Sequence, residues 1–309
     1  MTFLLLIPLA LPFAAAPLAR RALQRLAPAT ALWLVTGAMV VLACCSLTAL
    51  GAFVLTGLLK LPLFAALGEL VRPLRTPSDL LVLPAAAFSV GALAVSLWTV
   101  CHTATRQARA FRAATTEADR RCTVGDLCVI DSPHPDAYAL PGRPHRIVVT
   151  TGMLRSLSSD EREALFAHER AHNAAGHHYF LAVAELAGLC HPGLRPMGAV
   201  IRLAVERAAD EVAAAAVGNR RLIAQAIGRA ALATRAAHGE RPSFAPAATA
   251  GPVPQRVAAL LAAPRAPHRT ARWIATLLVV CATVSVCASA TGIIGFHHEV
   301  EVAQGEEGP

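Results

Sequence analysis

Four long stretches of this chain carry almost no charge. Residues 2–19 form an apolar run closed by Arg20 and Arg21, residues 31–59 and 81–102 are uncharged, and residues 273–296 form the last such run. Each is long enough to cross about 30 Å of hydrocarbon as a helix, so the pattern predicts four membrane spans. Between the third and fourth the periodicity changes. After a basic helical connector over 103–121, short alternating runs at Val124–Asp131, Ala137–Leu140 and Arg146–Thr151 are punctuated by Pro133, Pro135, Pro141 and Gly142. They predict a small antiparallel sheet. Helical spacing then resumes: Ser158 with Glu161 forms a capping box, Asp160 adds negative charge to the first turn, and Gly176 is the stop signal. Tyr179–Cys190 is apolar but too short to span a bilayer, and Pro192 and Pro196 interrupt it before a second helix resumes near Met197. It fits a helix on the membrane surface, one packed in the domain, or a re-entrant pair. Residues 236–270 are rich in Ala and Pro, with a helical island at Val257–Leu261, and read as a loose return to the fourth span.

Composition agrees with a membrane protein: 55% of residues are hydrophobic, which excludes an ordinary soluble enzyme. The expected layout is three spans within 1–102, a globular domain over 103–272, a fourth span over 273–296 and a short acidic tail over 297–309. The first span is not read as a signal peptide, because no Lys or Arg precedes it and two Arg follow it. Arg20, Arg21 and Arg25 after span one, the arginines from Arg106 to Arg121 after span three, and Arg256, Arg265, Arg269 and Arg272 before span four set the orientation. By the positive-inside rule both termini lie outside a multi-pass cell-membrane protein, with 103–272 in the cytoplasm. The net charge of +8 comes largely from this bias. It suits contact with anionic lipid headgroups, whereas direct nucleic-acid binding is not expected, since the arginines are not interleaved with aromatics. The cysteines read as small apolar packing residues.

The chemistry is concentrated in His168-Glu169-Arg170-Ala171-His172, the His-Glu-x-x-His pattern of a zinc hydrolase. Residues four apart share a helix face, so both imidazoles reach one metal ion, and Glu169 sits where a carboxylate takes a proton from water. A third ligand must come from elsewhere, and Glu206 in a second helical stretch supplies it. Asp210, one turn later on the same face, is placed to hydrogen-bond a ligand histidine. Two histidines and one glutamate leave a fourth position open, the mark of a catalytic rather than a structural zinc site. An oxyanion partner is not assigned; His177, His178, Tyr179, His191 and His238 are candidates by residue type alone.

The run Asp136-Ala137-Tyr138-Ala139-Leu140-Pro141-Gly142, then Ile147-Val148-Val149-Thr150-Thr151-Gly152, then the zinc helix and the Glu-x-x-x-Asp element, resembles the membrane zinc metallopeptidases of the HtpX type and their BlaR/MecR-type relatives. Three spans before the domain and one after it is similar to the BlaR/MecR layout. The resemblance implies an α+β zincin-type domain, mostly helical with a small sheet, inserted between transmembrane helices. It implies one Zn²⁺ held by His168, His172 and Glu206, with Glu169 as catalytic base. Asp136 departs from the Asn common in HtpX-type members. Residues 297–309 leave no room for a penicillin-binding sensor domain, so direct antibiotic sensing by this chain is not expected. The expected activity is a zinc metalloendopeptidase acting on a cytoplasmic or membrane-proximal protein. By resemblance it is a regulatory, antirepressor-like protease whose partners include a transcriptional repressor or a separate sensor protein. The alternatives are a quality-control protease of the HtpX kind and a non-proteolytic membrane scaffold that keeps a metal site.

Overall fold

The structure, a computed structural model, describes residues 2–61, 79–120, 123–236, 252–262 and 269–304. Helix α1 (Thr2–Arg25) is followed by α2 (Pro28–Leu58) and α3 (Asp79–Asp119). The strands are β1 (Thr123–Val124), β2 (Leu127–Ile130), β3 (Ala137–Leu140) and β4 (Arg146–Thr150). Then come α4 (Thr151–Ser156), α5 (Ser159–Ala174), α6 (His177–Cys190), a 3₁₀ turn at Pro192–Leu194, α7 (Arg195–Val217), α8 (Arg220–Ala236), α9 (Val253–Leu261) and α10 (Arg269–Gln304). Within α1, α2, α3 and α10, the stretches Leu4–Arg25, Pro28–Leu58, Val82–Asp119 and Ala271–Gln304 are long and apolar enough to cross a membrane. Trp33, Trp98 and Trp273 are each at least 70% exposed; Trp33 and Trp273 lie near the starts of α2 and α10, which adjoin the globular part, and Trp98 lies midway along α3, before the part of it that covers the sheet. That is where an aromatic belt marks a membrane–water boundary. Pro12 in α1 has no N–H to offer the Pro8 carbonyl, and the buried Ser46 hydroxyl of α2 reaches that carbonyl at 2.9 Å instead.

The sheet differs from the antiparallel one expected from sequence. Its order is β1-β2-β4-β3, and β2 pairs parallel with β4, Cys128 opposite Val148. Strand β3 goes to the far edge and turns back antiparallel onto β4, which slots between β2 and β3. Two reversals bring β4 back to the direction of β2, so the sheet is mixed. One face is covered by the extension of α3: Phe111, Ala114 and Ala118 pack on Cys128, Leu140 and Val148.

Helices α6 and α7 form a hairpin packed beside α1 and α2. Phe180, Leu181, Ala184 and Ala187 of α6 and Met197, Val200, Ile201 and Ala204 of α7 share one buried cluster with Ala15, Ala19, Leu32, Val35 and Met39. Trp33 stands edge-on to Phe180, with ring centroids 4.8 Å apart. A Cβ added at Gly193, in the turn, would come within 3.0 Å of Pro12 and Phe13, near the middle of α1. Farther up, Arg207 Nη1 donates to the Leu23 carbonyl at 2.9 Å, near the end of α1. Residues 179–201 thus pack alongside α1 and α2, with their turn against the middle of α1. The second half of α7 leaves this bundle and joins Ala164, Ile223, Ile227 and Leu260 through Ala213 and Ala214. One helix thus links the bundle of long apolar helices to the globular core.

Candidate metal centre

Helix α5 is fixed at its start by the capping box. Ser158 Oγ accepts from the Glu161 N–H at 3.4 Å, and Glu161 Oε2 accepts from the Ser158 N–H at 2.9 Å and from Arg229 Nη1 at 2.8 Å. Burial disfavours the Glu161 carboxylate, but the Ser158 and Arg229 donors overrule it and its pKa is lowered. A depressed carboxylate pKa contributes stability that is present above the unfolded value of about 4.3 and is lost as pH falls through the folded pKa. Ser158→Ala is expected to cost about 1 kcal/mol. In Glu161→Gln the acid side of the stability profile should flatten, as read by thermal unfolding across pH; an unchanged profile would remove this cap from the account.

From that start, one turn carries His168 and His172 to the same face of α5, and α7 brings Glu206 opposite them. His168 Nε2 is 3.0 Å from His172 Nε2 and 3.6 Å from Glu206 Oε2, which is 3.9 Å from His172 Nε2. A tetrahedral ion with bonds near 2.05 Å separates its ligand atoms by about 3.3 Å, a value these three distances bracket. His168, Glu169, His172 and Glu206 are each at most 1% exposed.

The far nitrogens of both imidazoles are also engaged. His168 Nδ1 lies 3.0 Å from Asp210 Oδ1, and His172 Nδ1 lies 2.9 Å from His177 Nδ1. Burial pushes the His168 pKa down, but Asp210 and Glu206 carry it up to about 9. His172 is held well below its usual value, first by burial and then by the charges of His168, His177 and Arg256. Burial, with His168 and His178 nearby, lowers His177 to about 4, so at neutral pH it is uncharged and can accept a hydrogen bond from His172.

The structure assigns His177 a place that its sequence position does not advertise. Gly176 takes the left-handed conformation, φ 63°, which ends the α5 direction and starts α6 at an angle that folds His177 back onto His172. The other residues considered as oxyanion partners are elsewhere or unassigned. His191 sits in the hairpin turn accepting from the Gly193 N–H at 3.1 Å, Tyr179 is 69% exposed beside His178, and His238 lies outside the described residues. Removing the partner of a ligand histidine typically lowers metal affinity about 10–100-fold. His177→Phe should show that loss in a chelator competition, and an unaltered affinity would make His177 a packing residue.

Arg256 overturns its sequence reading as one more basic residue flanking the last span. It is 0% exposed, within the centre. Its Nε donates to Asp210 Oδ2 at 2.9 Å and its Nη2 to Asp210 Oδ1 at 2.6 Å, while Nη1 stands 2.9 Å from Glu206 Oε2. The same Nη2 is 3.5 Å from His168 Nε2. The short helix α9 that carries it is docked through Leu260, Val253 and Val257. Arg220, paired with Glu211, donates to the Ala259 and Leu260 carbonyls at its end.

The electrostatics of this cluster test whether a metal fits. Glu169, Glu206 and Asp210 bring three carboxylates into a volume with no exposure above 2%, and the buried cation there is Arg256. His168 adds a second positive charge while its raised pKa keeps it protonated, which leaves one negative charge over; a dication that displaces the His168 proton balances the three carboxylates together with Arg256. Buried charges without partners are strongly unfavourable. Glu206 Oε1 also has no hydrogen-bond partner among the described residues. Donor chemistry, spacing and charge all suit a dication.

Residues 102–191 match the family model for Peptidase family M48. The match implies a metallopeptidase. Its span takes in the end of α3, the sheet, α5 and α6, hence both histidines of the cluster, Glu169 and His177. Glu206, Asp210 and Arg256 lie beyond it, so their grouping rests on the fold: His168, His172 and Glu206 are the metal-capable group among the described residues. No curated protein and no solved structure matches the chain.

Proposed function

We propose that the chain is an integral membrane zinc metalloendopeptidase. The carrying observation is the buried convergence of His168, His172 and Glu206, with Glu169 next in sequence to one candidate ligand. His168 Nε2, His172 Nε2 and a Glu206 oxygen would hold the ion. Bound there, zinc supplies a Lewis acid for the scissile carbonyl and lowers the pKa of water toward 7. Glu169 accepts the proton of the attacking water and passes it to the leaving amine. Asp210 holds His168 in the tautomer that frees Nε2, and His177 does the same for His172. Arg256 keeps Asp210 ionised and adds a fixed positive charge beside the reacting carbonyl. Burial of all these groups excludes bulk water.

In this reading the termini face outward and the peptidase part faces the cytoplasm. The substrate is a cytoplasmic or membrane-proximal protein, cut as a regulatory step in the manner of an antirepressor. A survey of new protein N-termini in cells carrying wild type or Glu169→Gln tests it. One or a few cleavages lost in the variant support regulation, and many unrelated membrane-protein cleavages lost would turn the reading to quality control. Identical profiles from expressed, zinc-loaded protein would favour a scaffold.

A further inference from the structure

The outer face of the α6–α7 hairpin carries two arginines in one cleft. Arg195 opens α7 and Arg202 follows seven residues later, two turns along the same face. With Leu181, Ala184 and Leu189 as an apolar floor, they line a cleft of about 230 Å³. Both are exposed, and among the described residues neither side chain has a hydrogen bond or an ion pair. The carboxylate in the cleft is already engaged from α3: Glu185 Oε2 accepts from Gln107 Nε2 at 2.6 Å, and Oε1 is 3.5 Å from Arg106 Nη2.

The depth of this cleft follows from contacts on the opposite side of the hairpin. The turn meets α1 at Pro12 and Phe13, and Arg207 meets it at Leu23. Those points are about 15 Å apart along α1. Arg20 and Arg21 mark where α1 leaves hydrocarbon. Arg202, just before Arg207, therefore lies near headgroup level, and Arg195 lies roughly 10 Å deeper, its long stem able to reach upward. An unpaired guanidinium at that depth is unfavourable and calls for an anion.

We propose that this cleft binds the phosphodiester headgroup of an anionic phospholipid, with an acyl chain along Leu181, Ala184 and Leu189. Guanidinium groups offer paired donors that match phosphate oxygens. A zwitterionic lipid brings its own cation and satisfies the two fixed charges less well. The proposal rests on the helices crossing a bilayer and is independent of catalysis, although the lipid would stand one turn below Glu206 on the same helix.

The test is native mass spectrometry of the purified full chain in neutral detergent, titrated with phosphatidylglycerol. Each arginine beside an anionic lipid is worth about a fivefold change in binding. Arg195→Gln with Arg202→Gln should therefore weaken binding about 25-fold, with zinc content unchanged as a check of folding. A control pair with the same loss of charge, Arg109→Gln with Arg112→Gln, should bind as wild type. Equal weakening in the control pair, equally tight binding of phosphatidylcholine, or displacement of the lipid by equimolar inorganic phosphate would each overturn the proposal.

Discussion

Glu169→Gln is expected to lower peptide hydrolysis by at least about 10²–10⁴-fold while the purified chain keeps its bound metal. Gln has nearly the shape of Glu, so the fully buried site keeps its packing, but an amide cannot take a proton from water. Glu169 is not among the three residues grouped as metal-capable, so the loss should fall on kcat rather than on metal content. Turnover of a fluorogenic peptide, normalised to metal per chain, measures it. Retained turnover would remove Glu169 from the mechanism, and lost metal would make it a ligand or a structural support.

The second large effect is expected at Arg256. Arg256→Leu leaves Glu206 and Asp210 buried without their cation, a situation that typically costs about 3–5 kcal/mol. In a chain of this size that corresponds to a fall of roughly 10 °C in Tm. The loss should be larger without zinc than with it, because a dication compensates the same acids. Arg256→Lys restores the charge but not the two-point contact with Asp210, and should recover only part of the loss. Arg256→Leu should also loosen α9 over the centre, since that helix would then be held by Val253, Val257 and Leu260 and the Arg220 contacts alone. Equal Tm values for wild type and Arg256→Leu in the metal-free state would place Arg256 outside the centre.

The parts of this architecture that were readable in advance are those governed by local rules. A capping box needs only Ser158 and Glu161 three residues apart, and a shared helix face needs only the four-residue step from His168 to His172 or from Glu206 to Asp210. Hydropathy alone marks the four long apolar helices. The unreadable parts depend on distant chain segments. Nothing local distinguishes β4 paired with β3 alone from β4 inserted between β2 and β3, so the sheet is mixed where short turns suggested a meander. Arg256 looked like one of several arginines before the last apolar run. The helical island read from sequence, Val257–Leu261, excludes it, and only the fold shows the nine-residue helix that carries it and the acids it meets. His177 needed the left-handed Gly176 to bring it behind His172. The hairpin of α6 and α7 was open to three readings, because a short apolar helix has the same composition at a membrane surface, in a domain core or in a re-entrant pair.

X-ray absorption at the zinc edge of the purified, active chain tests the central claim most directly. Two imidazole nitrogens and carboxylate or water oxygens at about 2.0–2.1 Å, with one nitrogen lost in His172→Ala, are the expected result. A sulfur ligand near 2.3 Å, or a spectrum unchanged by loss of His172, would contradict it.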